Sequence, residues 1–294
     1  MKRYSKLILI TIVLFFLKGN SQPYTDIANF SYQTFSANNK SNSSDDQRTE
    51  IYALNLFMPR ELKSGNTLLF RVNSESIQTG RSTIPNRSTR VSSISIGLGC
   101  QWLSTNQKWK SVLLGIPKIA SDFEDPVGKD DFQIGLLFIE NYKVSTRLQI
   151  KAGIYYNEEI FGHFIVPLVG VDWQASDNLR FYGLLPTNYK IEYAISKRKW
   201  FTGVNFKALT RTFQLSKDQN NDYIRFDEVV LKAFVEYYCT SNIVAYAEIG
   251  RSLGKSLLQY KANSEDLSYS NPNYTPIGNY IPFSIGLAYR IRTN

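Results

Sequence analysis

Along residues 280–291 the chain alternates without interruption. Ile281, Phe283, Ile285, Leu287, Tyr289 and Ile291 are large and apolar, and Pro282, Ser284, Gly286, Ala288 and Arg290 separate them. Successive side chains of a strand point to opposite faces, so this pattern predicts a strand with one apolar face and one small or polar face. The same pattern recurs upstream. In Ser93–Trp102, Ile94, Ile96, Leu98, Cys100 and Trp102 oppose Ser93, Ser95, Gly97, Gly99 and Gln101. In Arg147–Tyr156, Leu148, Ile150, Ala152 and Ile154 oppose Arg147, Gln149, Lys151 and Gly153. Thr202–Thr212 sets Val204, Phe206 and Ala208 against Asn205, Lys207 and Arg211, and Val229–Cys239 sets Val229, Leu231, Ala233, Val235 and Tyr237 against Lys232 and Glu236. None of these segments follows helical spacing.

Length and the polar face together choose the architecture. The segments run to about ten residues or more, where globular strands usually run about five or six and tilted membrane strands about 9–11. Their polar faces carry Gly, Ser and single charges. This is the pattern of an apolar outer wall around a polar interior. Aromatic residues are abundant (19 Tyr, 18 Phe, 4 Trp), and Trp102, Trp109, Trp173, Trp200 and Tyr289 fall near predicted strand ends, where an interfacial girdle belongs. Connections alternate in length. Residues 37–50, 76–90, 120–130, 215–227 and 253–279 are long, and 60–65, 104–108, 142–145, 175–177, 198–199 and 240–242 are short. One outward connection, at Thr187-Asn188, is short against this order. The expectation is an all-β chain forming a single antiparallel, up-and-down transmembrane β-barrel of about 14 strands, with both termini on the short-turn, periplasmic side. Twelve strands is the alternative, if Ile27–Phe35 and either Tyr189–Ser196 or Ile51–Phe57 lie outside the wall.

The N-terminus sets the compartment. Lys2, Arg3 and Lys6 precede the apolar stretch Leu7–Leu17, and Gly19-Asn20-Ser21 offers small residues before Gln22. This predicts a secretory signal peptide over residues 1–21, cleaved near Ser21/Gln22, with residues 22–294 as one barrel domain in the cell outer membrane. Cleavage would remove Lys2, Arg3, Lys6 and Lys18 and no acid from a formal net charge of +9, so the basic balance of the mature chain is mild. No basic helix face and no Lys/Arg run longer than Lys197-Arg198-Lys199 suggests a nucleic-acid footprint.

Phe161–Trp173 (FGHFIVPLVGVDW) is followed by Asn178–Pro186 (NLRFYGLLP). This region resembles a family of exported Bacteroidota barrel proteins that carry a P-x-x-G-x-x-W strand and then an L-x-x-x-x-L-P strand. The matching positions are Pro167, Gly170, Trp173, Leu179, Leu184 and Pro186. The resemblance extends over about residues 90–291. It implies barrel fold and outer-membrane location and no catalytic residue, the family being a domain of unknown function. The barrels it resembles usually end on an aromatic residue, whereas Arg292-Thr293-Asn294 follow Ile291 here.

Candidate chemistry is sparse. His163 is the one histidine, and no Ser occupies a neighbouring same-face position, so a nucleophile–base–orienter set of the lipid-hydrolase kind is not expected. With two cysteines, Cys100 and Cys239, no zinc-type site is expected, and both read as small apolar wall residues. Asp122, Glu124, Asp125, Asp130 and Asp131 make an acidic loop without calcium-loop spacing, which reads as solvated. No cofactor is implied. The richest constellation is the polar phase of the strands: Arg147, Gln149, Lys151, Asn205, Lys207, Arg211, Lys232, Glu236, Glu248 and Arg290 are expected to face the lumen. Their basic excess suits either a small channel for anionic solutes or a structural barrel filled by its own paired side chains. The alternatives are a binding or adhesion protein acting through its outer loops and an outer-membrane lipid hydrolase. Expected partners are outer-membrane lipids, lipopolysaccharide and the barrel assembly machinery.

Overall fold

The computed structural model describes residues 24–36, 48–80, 89–196, 199–254, 258–261 and 279–292. The expected signal peptide, most of the loops at 37–50, 76–90 and 253–279, Lys197 and Arg198, and the last two residues lie outside these. The strands are β1 (Tyr24–Ser36), β2 (Arg48–Glu61), β3 (Thr67–Thr79), β4 (Thr89–Leu103), β5 (Trp109–Ser121), β6 (Phe132–Lys143), β7 (Leu148–Glu159) and β8 (Gly162–Gln174). They continue as β9 (Leu179–Leu184), β10 (Asn188–Ser196), β11 (Trp200–Gln214), β12 (Tyr223–Tyr238), β13 (Ile243–Ser252), β14 (Leu258–Tyr260) and β15 (Phe283–Arg292). Each strand from β1 to β12 pairs antiparallel with the next, β13 pairs with β15, and β15 pairs with β1. The sheet is therefore closed and has fourteen wall strands. The three-residue β14 pairs with the overhanging start of β12 (Tyr223↔Tyr260 to Arg225↔Leu258). β1, β2 and β10 are all wall strands, which sets the twelve-strand alternative aside. Tyr24 lies opposite Arg292, so the first and last strands run side by side and begin and end at the short-turn rim.

The alternation of side chains becomes an alternation of solvents. On β15, Phe283, Ile285, Leu287 and Tyr289 are exposed on the outer wall, while Ser284, Ala288 and Arg290 are buried inside. The same apolar band continues through Ile94, Ile96 and Leu98 of β4, Ile150 and Ile154 of β7, and Leu231 and Val235 of β12. At the short-turn rim, cross-strand aromatic pairs punctuate the outer wall: Trp109–Tyr142 at 4.7 Å, Trp173–Phe181 at 5.2 Å and Trp200–Tyr237 at 4.6 Å between ring centroids. Rings with an apolar body and a polar edge favour the boundary between hydrocarbon and water.

Several strands are longer than a crossing requires: β4 and β11 have 15 residues and β12 has 16, against about 9–11 for a tilted span. At the long-loop end of these strands the polarity inverts. Phe35, Ile51, Ile77, Val91, Ala120, Phe213, Ile224, Phe226 and Val230 lie in the inward phase and pack with Leu215 and Tyr280 into one buried cluster. Arg225 and Asp227 take the outward phase of β12 in the same region and pair at 2.8 Å. Apolar-in and polar-out is the arrangement of a sheet standing in an aqueous or headgroup environment, so the wall protrudes beyond its apolar band here.

Candidate functional site

The interior of the band is polar, and most of its charges are paired. Burying an ion without a partner costs several kcal/mol, so a closed barrel that turns charges inward must match them. Arg290, 2% exposed, grips Asp26 of β1 through Nε (2.5 Å to Oδ1) and Nη2 (3.1 Å to Oδ2). Its Nη1 donates to Glu236 Oε2 at 2.6 Å, and the Tyr24 ring lies 3.4 Å from its Cζ. The other oxygen of Glu236 accepts from Lys190 Nζ at 2.7 Å. Lys232 Nζ donates to Gln33 Oε1 (2.6 Å), Ser284 Oγ (2.9 Å) and Glu248 Oε2 (3.2 Å). Glu228 is held by Lys207 at 3.1 Å and Arg211 at 2.7 Å, and Arg211 reaches across the lumen to pair also with Glu75 of β3. Opposite, Lys151 pairs with Asp172 at 2.7 Å, and Thr212 Oγ1 donates to Glu159 Oε2, which Lys118 approaches to 3.8 Å.

Of the residues expected in the lumen, Lys151, Lys232, Glu236 and Arg290 are buried in these pairs, and Lys207, Arg211 and Glu248 join them less deeply. Asn205 Nδ2 reaches Glu248 Oε1 at 3.5 Å; Gln149 is buried, and its Oε1 finds no hydrogen-bond partner among the described residues. Arg147 is the exception. It precedes β7, in the short turn where Val144 N–H bonds Leu148 C=O, and its side chain is 60% exposed, 3.6 Å from Asp177. The alternation ends where the strand ends, and the turn carries Arg147 out to solvent. Sequence reasoning missed the acids that answer the bases: Asp26, Glu75, Glu159, Asp172, Glu192 and Glu228. Asp26 adjoins a bulge, where the register shifts between Asp26 and Ala28. Glu75 and Glu228 lie where apolar alternation has faded. Once they are counted, the basic excess read from the sequence largely disappears.

At the long-loop mouth the chain spans the barrel from β11 to β5. β11 bends inward at its end, and Gln214 pairs in parallel with Ser121 of β5. The 215–222 tip of the β11–β12 hairpin then rests on the loop after β5. Asp122 N–H donates to Gln214 C=O at 3.0 Å, while Asp122 Oδ2 accepts from Ser216 N–H (2.8 Å) and Gln219 Nε2 (3.0 Å). Asp125 Oδ2 accepts from Lys217 N–H at 2.9 Å. Two of the acids read as merely solvated thus hold a hairpin in place. Beneath the tip lies the apolar cluster of Phe213, Phe226 and Tyr280, with Tyr280 stacked on Phe35 at 3.8 Å.

The remaining candidates stand apart. His163 is on the outer face of β8, and its Nδ1 shares a 2.8 Å hydrogen bond with Tyr156 OH. Cys100 and Cys239 are free thiols. Among the described residues no three His, Cys, Asp or Glu side chains gather as metal ligands.

No protein-family model and no curated protein matches the chain. Some solved structures align with it at low similarity. The NanC porin aligns at TM-score 0.39 and 8% identity over 89% of this chain and 100% of that one. The Salmonella typhi outer membrane phospholipase (OMPLA) dimer with bound calcium aligns at 0.41 and 8% over 93% and 94%. A deletion mutant of the TodX monoaromatic hydrocarbon channel aligns at 0.41 and 9% over 91% of each chain. By its own strand pairing the chain is a closed, fourteen-stranded antiparallel β-barrel.

Proposed function

We propose that this chain is a non-enzymatic integral outer-membrane β-barrel, exported by its signal peptide, whose lumen is shut at the extracellular end. It acts as a structural or surface-presenting barrel and not as a standing anion pore. The observation that carries this reading is the hairpin over the mouth, with Leu215 of its tip buried against Phe213 and Phe226. The paired lumen adds to it, because ion pairs such as Arg290–Glu236 leave little net charge to draw an anion inward. A second reading, a channel gated at this mouth, is favoured by Arg71. Its side chain shares the inward phase of β3 with Glu75, bonds Asn73 Oδ1 at 2.9 Å, and is nevertheless solvent-exposed, so free space remains at mid-lumen. Planar-bilayer recording of the refolded protein tests both readings. The structural reading expects no steps from the wild type or from a variant with residues 215–222 replaced by a two-residue turn. Steps in that variant alone would establish the gated channel, and anion-selective steps in the wild type would overturn the closed barrel.

A further inference from the structure

On the outer wall of β1–β4, above the apolar band, two rows of cross-strand partners consist of hydrogen-bonding side chains. The lower row is Tyr32↔Tyr52↔Ser76↔Ser92. The upper row is Thr34↔Glu50↔Gln78↔Arg90, with Arg48 just beyond it. The rows beneath are mainly apolar: Phe30↔Leu54↔Ser74↔Ile94, then Ala28↔Leu56↔Val72↔Ile96. The change comes where the inward phase of the same strands turns apolar at Phe35, Ile51, Ile77 and Val91, so both faces mark the edge of the hydrocarbon. On β5 and β6, by contrast, Ile119↔Phe132 and Pro117↔Ile134 keep the outer face apolar at the long-loop end.

The grid is organised around its two arginines. Arg48 Nε donates to Thr34 Oγ1 at 2.9 Å and lies 3.1 Å from Glu50 Oε1, its Nη2 donates to Tyr32 OH at 2.6 Å, and Glu50 Oε1 accepts from Tyr32 OH at 2.6 Å. Arg90 Nε donates to Ser76 Oγ at 3.1 Å, which also receives Ser92 Oγ at 3.0 Å. Both guanidinium groups are steadied by neighbours yet exposed, Arg48 at 57% of its side chain. Their strands are two apart, which separates their backbones by roughly 12 Å at the usual strand spacing and rise. Long side chains can converge over that distance on one headgroup.

We infer that this ledge is a docking site for the phosphorylated sugar headgroup of an outer-leaflet anionic glycolipid. Arg48 and Arg90 would take phosphate oxygens through the guanidinium N–H groups that Thr34, Glu50, Tyr32 and Ser76 leave over, the phosphate's charge adding to that of Glu50 on Arg48, and Tyr52, Ser76, Gln78 and Ser92 would take sugar hydroxyls. Guanidinium suits phosphate because its planar fork can bond two oxygens at once, and basic residues at a membrane surface recognise anionic headgroups. The chemistry fits the position: the lipid's acyl chains would lie against Phe30, Leu54 and Ile94 directly below.

The inference rests on the outer-membrane reading, so the test separates the two. Refolded full-length protein in phosphatidylcholine nanodiscs is titrated with diphosphorylated lipid A, with dephosphorylated lipid A and with inorganic phosphate, and bound lipid is counted by native mass spectrometry. Insertion is checked in each sample by heat-modifiable gel migration. The expected result is preferential binding of the diphosphorylated lipid, weakened about tenfold in Arg48→Gln/Arg90→Gln. Arg60→Gln, at the opposite end of β2, should bind like the wild type. Equal binding by the double variant, or equal binding of the dephosphorylated lipid, overturns the site while leaving the barrel standing. Competition by inorganic phosphate at the same concentration would also overturn it, since the site would then read a free anion. Failure of the wild type to show heat-modifiable migration would instead remove the membrane reading beneath it.

Discussion

Arg290 of the last strand and Asp26 of the first are joined by two hydrogen bonds, Nε to Oδ1 at 2.5 Å and Nη2 to Oδ2 at 3.1 Å. They tie the barrel's closing seam from within. Removing the guanidinium would leave Asp26 without this cation and Glu236 with one of its two, and breaking a buried pair typically costs about 3–5 kcal/mol. Arg290→Met is therefore expected to lower the temperature at which the folded gel band is lost. Arg290→Met/Glu236→Gln should recover part of the loss, because the acid no longer has to be buried charged. Equal melting of Arg290→Met and wild type would show that the seam needs no such tie.

Tyr246 lies across Gly286 to bond Asn29 Oδ1 at 3.0 Å, bridging β13 to β1 over β15. A Cβ on Gly286 would fall 2.3 Å from the Tyr246 ring and 2.6 Å from the backbone oxygen of Phe30. Glycine is needed here for close approach. Gly286→Val should abolish the heat-modifiable form, and adding Tyr246→Ala should restore it only in part, because the backbone clash remains.

Asp122 accepts two hydrogen bonds from the hairpin tip. At about 1 kcal/mol each, their loss in Asp122→Ala should favour the undocked tip by roughly tenfold or more. Trypsin cutting at Lys217 of the folded protein should accelerate correspondingly, with barrel insertion unchanged. An unchanged cutting rate would mean that the tip is held by something other than this carboxylate.

The wall was legible in the sequence because an apolar outer face and a polar inner face impose one alternation on the residues of the band. Ser284, Gly286, Ala288 and Arg290 of β15 obey it, and strand count and closure follow from the alternation and from turn lengths. The mouth was not legible, because the rule reverses there. Ile224 and Phe226 continue the inward phase of Lys232 and Glu236, yet they are apolar. A reading that expects apolar residues on the outside takes 215–227 for loop, whereas β12 begins at Tyr223. Arg211–Glu75 was hidden for a different reason. The two residues are 136 positions apart, and only closure of the barrel brings them together.

One cross-link reads the shut mouth directly. Gln214 and Ser121 are neighbours across the parallel pairing of β11 with β5. Adjacent strands lie about 4.7–4.9 Å apart, a separation that a disulfide can span. In a Cys100→Ser/Cys239→Ser background, Gln214→Cys/Ser121→Cys should oxidise to an intramolecular disulfide in high yield in intact outer membranes. Reduction should leave heat-modifiable migration unchanged. Failure to form the bond in a barrel that inserts normally would contradict the closed mouth, because the hairpin would then stand clear of it.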